Sequence, residues 1–388
     1  MREAMINPEI VHWARQRAGL APADLADKLK QKPEKLLEWE QGKSRPTFSQ
    51  AQKLAGQLRV PFGYLFLKEP PTEALPIPDL RTIGSHVSPE LGQDFRDLLN
   101  DVLFKQEWFR DYQLEHGQSS LEFIGSWSLD DDPSDVAADI ANTLGVVAAL
   151  RKQARNWEQY LSLLIEKAEA AGIVVMRSGI VGSNTTRRLS VDEFRGFALS
   201  DDYAPLIFIN AADAPAARLF TLIHELAHLW IGNSGISNMP LGDVEGAHHQ
   251  RKEEVFCNQV AAEFLVPKTE FLKDWQVQQS LLDNCHALRK TYKVSPMVLA
   301  RRAYDCGLIP REDYVVFYLS EVKKHKDKKG SGGGSFNLNL KVRNGVLFSS
   351  AVVGAAMEGT LLLRDASRLL NISKVSTLND FAKSLNIG

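Results

Sequence analysis

A chain of 388 residues exceeds one ordinary core and points to about two or three domains. Apolar residues at 44% and charged residues at 24% are normal for soluble globular proteins, and a net charge of −2 excludes a globally basic nucleic-acid or membrane binder. Three scattered cysteines (Cys257, Cys285, Cys306) exclude a disulfide framework, and no run of about 18 apolar residues occurs, so a cytoplasmic protein with no membrane partner is expected.

The first 68 residues predict five short helices between Pro8 and Leu67, with breaks at Gly19, Gly42 and Ser44-Arg45-Pro46-Thr47. Four prolines between Glu69 and Pro78 predict a linker over 69–85. A helical connecting region follows over 86–171. A third domain is expected over 172–320, with short strands at Ile173–Met176 and Leu206–Ile209 and helices at Ala214–Gly232 and Lys252–Leu265. A Lys-rich run and Gly330-Ser331-Gly332-Gly333-Gly334-Ser335 predict a second linker over 321–335, and 336–388 reads as a small α+β tail.

The chemistry concentrates in His224-Glu225-Leu226-Ala227-His228, inside a run free of Pro and Gly. A helical i, i+4 spacing puts both imidazoles on one face, within reach of one zinc ion, and Glu225 beside them is placed to take a proton from water. Apolar flanks on nearly every side imply burial, and buried histidines need partners. A catalytic zinc wants a third protein ligand. A histidine six residues after the second is ruled out, because that position is Ser234. Glu254 is the preferred third ligand, with Asn258 one turn on to accept from a ligand histidine's second nitrogen. Glu253 is expected to face away from Asn258, and Glu263 to face solvent. His248 and His249 are rival ligands in a Gly- and Asp-rich loop. Leu206–Ile209 is a candidate edge for aligning an extended substrate, or else a plain core strand. Tyr203, Arg195 and His249 are candidates for stabilising an oxyanion.

The segments from Arg218 to His228 and from Glu254 to Pro267, with Glu193-Phe194-Arg195-Gly196 and Pro205–Asn210 upstream, resemble the ImmA/IrrE family of metallo-endopeptidases. The resemblance covers roughly Gly172 to Pro267. It implies zinc held by His224, His228 and Glu254, with Glu225 as the base, and a substrate that is a helix-turn-helix repressor. Cys257 stands where that family often has alanine.

The second and third predicted helices, closed by Trp39-Glu40-Gln41-Gly42-Lys43-Ser44-Arg45-Pro46-Thr47, resemble the Xre/Cro helix-turn-helix family. Between Arg2 and Lys68 there are twelve Lys/Arg against seven Asp/Glu, so this part is locally basic. Phosphate contacts are expected from Lys30, Lys32, Lys35, Lys43 and Arg45, and base reading from Lys32, Glu34, Leu37 and Glu38. Two glutamates on that surface depart from the usual Gln/Ser/Arg-rich one and leave open a protein-docking role.

The whole order resembles fused Xre–ImmA/IrrE proteins of prophage and toxin–antitoxin settings. The fold class implied is mainly α, with a five-helix Xre/Cro-like domain, an α+β zincin-like peptidase domain and the small tail. The expected function is a zinc-dependent endopeptidase fused to a DNA-binding module, controlling stress, prophage or toxin–antitoxin genes. The alternative is a regulator or antitoxin that binds operator DNA and a toxin partner, its zinc site structural or vestigial. A homodimer is compatible with either.

Overall fold

The computed structural model describes residues 3–71, 77–78, 91–237, 249–326 and 336–387. The chain divides into two compact units, Met1–Pro76 with Glu90–Asp97, and Ile77–Pro89 with Leu98–Gly388.

The first unit holds α1 (Pro8–Arg17), α2 (Pro22–Leu29), α3 (Pro33–Glu40), α4 (Phe48–Leu58) and a 3-10 turn over Phe62–Phe66. Helix starts are written locally. Asn7 caps α1 with Pro8 in its first turn, and Thr47 and Gln50 form a reciprocal capping box on α4. Lys30 closes α2 in the left-handed region at φ 54°. Ile10, Val11, Leu25, Leu36, Trp39, Leu54 and Leu65 build one core. Arg15 of α1 donates to Glu40 of α3 at 2.5 and 2.9 Å, tying the two helices by a bidentate pair.

In the second unit, α5 (Gln93–Glu115, from Leu98 on), α6 (Pro133–Thr143), α7 (Ala148–Gln153) and α8 (Trp157–Ala170) precede the strands. These are β1 (Val174–Ser178), β2 (Ile180–Val181), β3 (Asn184–Arg188), β4 (Gly196–Leu199), β5 (Leu206–Asn210) and, after helix α9 (Ala217–Trp230), β6 (Gly235–Ser237). The main sheet runs β1-β5-β4-β6, parallel between β1 and β5 and antiparallel elsewhere, while β2 and β3 form a hairpin. Leu206–Asn210 is therefore no edge. It is bonded on both sides, as suits an apolar run buried along its whole length.

Helices α10 (His249–Leu265), α11 (Lys268–Asp274), α12 (Leu281–Tyr292), α13 (Pro296–Asp305) and α14 (Arg311–Lys326) follow. One core joins Leu164, Ile207, Leu222, Leu226, Trp230, Val260, Ala261 and Leu299. Asp139 of α6 accepts both indole N–H groups of Trp127 (3.0 Å) and Trp230 (2.8 Å). Residues 321–326, expected as linker, continue α14, because lysines are good helix formers and Glu321 is buried. The remaining expected linker positions 72–76, 79–85 and 327–335 lie outside the described residues.

The tail corrects a second expectation. Its described residues form α15 (Phe336–Asn344), α16 (Val346–Glu358), α17 (Leu363–Leu369) and α18 (Val375–Ser384), with no strand among them. The thirteen residues of α16 are mostly apolar or small and pack as a largely buried helix. Glu169 of α8 accepts the Leu347 N–H at 3.2 Å, occupying the start of α16. Gly345, at φ 76°, is needed there, since a β-carbon would stand 2.7 Å from Glu169 Oε1. Burial pushes Glu169 up to about 7, against the lowering by backbone N–H groups.

Candidate metal centre and helix-turn-helix surface

Helix α9 is buried over nearly its whole length, and carries His224, Glu225 and His228 with it. Helix α10 packs against it and brings Glu253, Glu254 and Asn258 to the same place. The Nε2 atoms of His224 and His228 face each other at 3.1 Å. Glu254 turns one oxygen to each, at 3.3 Å from His224 and 3.2 Å from His228. The ligand atoms of these three buried residues lie within 4.8 Å of one another.

The outer ring nitrogens settle which lone pairs point inward. His224 Nδ1 lies 3.1 Å from Asn258 Oδ1, and His228 Nδ1 lies 3.2 Å from Glu253 Oε1. Both neighbours accept, so both Nδ1 atoms carry the proton and both Nε2 lone pairs enter the space shared with Glu254. Two lone pairs and a carboxylate in a buried place repel unless a cation sits among them. Both Glu254 oxygens lack a well-formed hydrogen bond in that buried place. The donor set, two imidazoles and one carboxylate, therefore fits a divalent metal ion of the kind bound by nitrogen and oxygen. Burial works against ionisation of Glu254, but when the imidazoles are protonated, with no ion between them, their positive charge outweighs it and holds the carboxyl down at about 2.

Glu225 is fully buried beside them, and neither of its oxygens has a hydrogen-bond partner. Burial pushes it up to about 7, against the pull of both histidines. The Ser237 hydroxyl faces it from β6 without bond geometry. From β4, Gly196 approaches so closely that a β-carbon would stand 2.7 Å from Glu225 Oε1 and 2.6 Å from Thr221 Cγ2. Cys257 lies against His228 with its thiol pushed up to about 11 by burial, and so stays a neutral neighbour.

Some sequence expectations meet different surroundings. Glu253, expected to face away from Asn258, reaches the same cluster and serves the second histidine, a role the sequence reading missed. Glu263 does not face solvent but pairs with buried Arg302. Of the oxyanion candidates, Arg195 is taken up by Asp213 at 2.6 Å. Tyr203 sits in the turn capped by Asp201, and no described contact joins it to the cluster. His248 lies outside the described residues, as does the side chain of His249.

On the first unit, Lys30, Lys32, Lys35, Lys43 and Arg45 lie along the chain between the end of α2 and the start of α4. Lys35 donates to Glu38 at 3.0 Å, so these two charges partly cancel along α3. Lys35 first, then Ser44 and Lys43, holds the Glu38 carboxyl below its ordinary range. Arg45 reaches the Met5 sulfur at 2.6 Å. Leu37 is exposed on the same helix.

Residues 168–304 match the family model of the IrrE N-terminal-like domain, the M78 peptidases. Residues 11–65 match the helix-turn-helix model, and residues 344–384 a domain of unknown function (DUF8813). No curated protein matches the chain. Among the described residues no helix is long and apolar enough to cross a membrane. The matched order is a helix-turn-helix domain, which supports DNA binding, ahead of a domain of a metallopeptidase family, which implies a metal.

Proposed function

We propose that this chain, an Xre-like helix-turn-helix domain joined to an IrrE-like peptidase domain, is a zinc-dependent endopeptidase that cleaves a repressor-type protein. The observation carrying this reading is the meeting of His224 Nε2, His228 Nε2 and Glu254 in one buried place with an unpartnered carboxylate, Glu225, at its side. A purely structural centre has no use for that fourth group.

His224, His228 and Glu254 would hold the ion, while Asn258 and Glu253 keep the two rings turned with Nε2 inward. When bound, zinc supplies a Lewis acid that lowers the pKa of a water and polarises a peptide carbonyl. Glu225 accepts the proton of the attacking water and returns it to the departing amine nitrogen.

The test compares wild type with Glu225→Gln on the repressor-type products of neighbouring genes. Glu225→Gln should keep its zinc and lose cleavage, since an amide cannot accept the proton. Equal cleavage by both forms removes Glu225 from the mechanism. A wild type that binds DNA and cleaves none of the candidates would instead favour a regulator.

A further inference from the structure

Among the described residues β6 is the outer strand of the main sheet, paired in the ladder with β4 alone. Its other side is met by the chain itself. The Ile236 N–H donates to the Pro78 carbonyl at 3.2 Å, and Ile77 is buried to 8% exposure although it follows a proline-rich stretch. Ile77 and Pro78 belong to the same compact unit as the sheet. The next residue of β6, Ser237, faces Glu225, and its strand partner Gly196 touches the same carboxylate. The edge at Ile236 is thus one residue from the group that would move protons.

An outer strand offers unpaired backbone groups along its length, and an extended peptide is what such an edge binds. Proline at the bonded position fits that geometry. A proline has a carbonyl to accept with and no N–H to leave unpaired, so Pro78 can add to an edge without continuing a ladder.

We infer that the Ile77–Pro78 segment is a resident peptide on the β6 edge, holding the place where the backbone of a protein substrate would be aligned. The inference rests on the peptidase reading. As an intramolecular ligand the segment competes at high effective concentration, so substrates bind in proportion to the fraction of molecules in which it has left. Ile77 is its anchor, and Ile236 supplies the bond both occupants would share.

The experiment needs no turnover. In the full-length, zinc-loaded Glu225→Gln chain, hydrogen exchange is followed at the Ile236 amide with and without Ile77→Glu. The charge should expel the anchor and raise that rate by about 10-fold or more. A synthetic peptide of residues 73–82 should then slow the exchange again, by occupying the vacated edge. Ile77→Ala, a milder change, should act in the same direction if the glutamate variant folds poorly. An Ile236 rate that neither variant alters overturns the inference, and so does a raised rate that the peptide leaves unchanged. Loss of peptidase activity would show only in the wild-type and Glu225→Gln cleavage comparison, so the two readings fail separately.

Discussion

Gly196 on β4 and Glu225 on α9 are in contact across the sheet–helix interface, with no room between them for a single methyl group. An added methyl cannot turn to the backbone instead, since Phe208 O stands 3.1 Å from the same point. Gly196→Ala should therefore push the Glu225 carboxylate from its place while leaving the three metal-binding side chains intact. The expected outcome is zinc content unchanged and kcat lowered on the order of 10²-fold, the cost of misplacing a catalytic group by about 1 Å. Zinc analysis alongside cleavage rates checks it, and full activity would show that Glu225 has another way to settle.

Substitution of the proposed ligands separates holding from tuning. His224→Ala and Glu254→Ala should each lose stoichiometric zinc, whereas Glu253→Gln and Asn258→Ala should retain it with affinity weakened by about 10–100-fold. Competition with a chelator reads the difference. Full zinc occupancy in Glu254→Ala would remove Glu254 from the set.

Glu169 gives a pH dependence of stability. Its folded-state carboxyl lies at about 7, above the ordinary 4.5, so the folded chain holds this proton more tightly than the unfolded one. Its contribution is fully present below the unfolded value and is lost as pH rises through about 7. Glu169→Gln keeps an acceptor for Leu347 and removes the charge. Between about pH 5 and pH 8 its melting temperature should fall less than that of wild type, by on the order of a few degrees. Parallel curves for the two proteins would show that Glu169 is not the titrating group.

At the helix-turn-helix surface, Lys32→Ala and Lys43→Ala should weaken binding equally on promoter and scrambled DNA. Each lost phosphate contact should reduce the salt slope by about 0.9. Glu38→Ala should instead change which sequence is preferred, while freeing Lys35 for a phosphate. Gel shifts over a salt series distinguish these outcomes. No binding to either DNA at low salt would make the module a protein-docking domain.

The helices of both motifs were legible because their spacing is local. A four-residue step puts His224 and His228 on one face, and the same step pairs Glu254 with Asn258. The role of Glu253 was not legible because it depends on how α10 is rotated against α9, which neither helix encodes alone. Leu206–Ile209 reads as a strand from its composition, but whether it lies at an edge depends on β1 and β4, far away in the chain. Gly196 looks like an ordinary motif glycine until Glu225 is placed against it. The all-helical tail was not legible because the longest of its helices, α16, is apolar on nearly every side and shows no clear period.

Asp139, which takes the indole protons of both Trp127 and Trp230, fastens the last turn of α9 to α6. The helix that carries both imidazoles is thus held from its far end by bonds that involve no metal. A nitrogen pair already standing in position gives up little freedom when an ion arrives, so α9 contributes to affinity by what it does not have to lose. Glu254 of α10 also stands between the two rings already, so the third donor comes to the ion in place as well. Losing the Asp139 bonds should accordingly weaken metal affinity although no donor atom is removed.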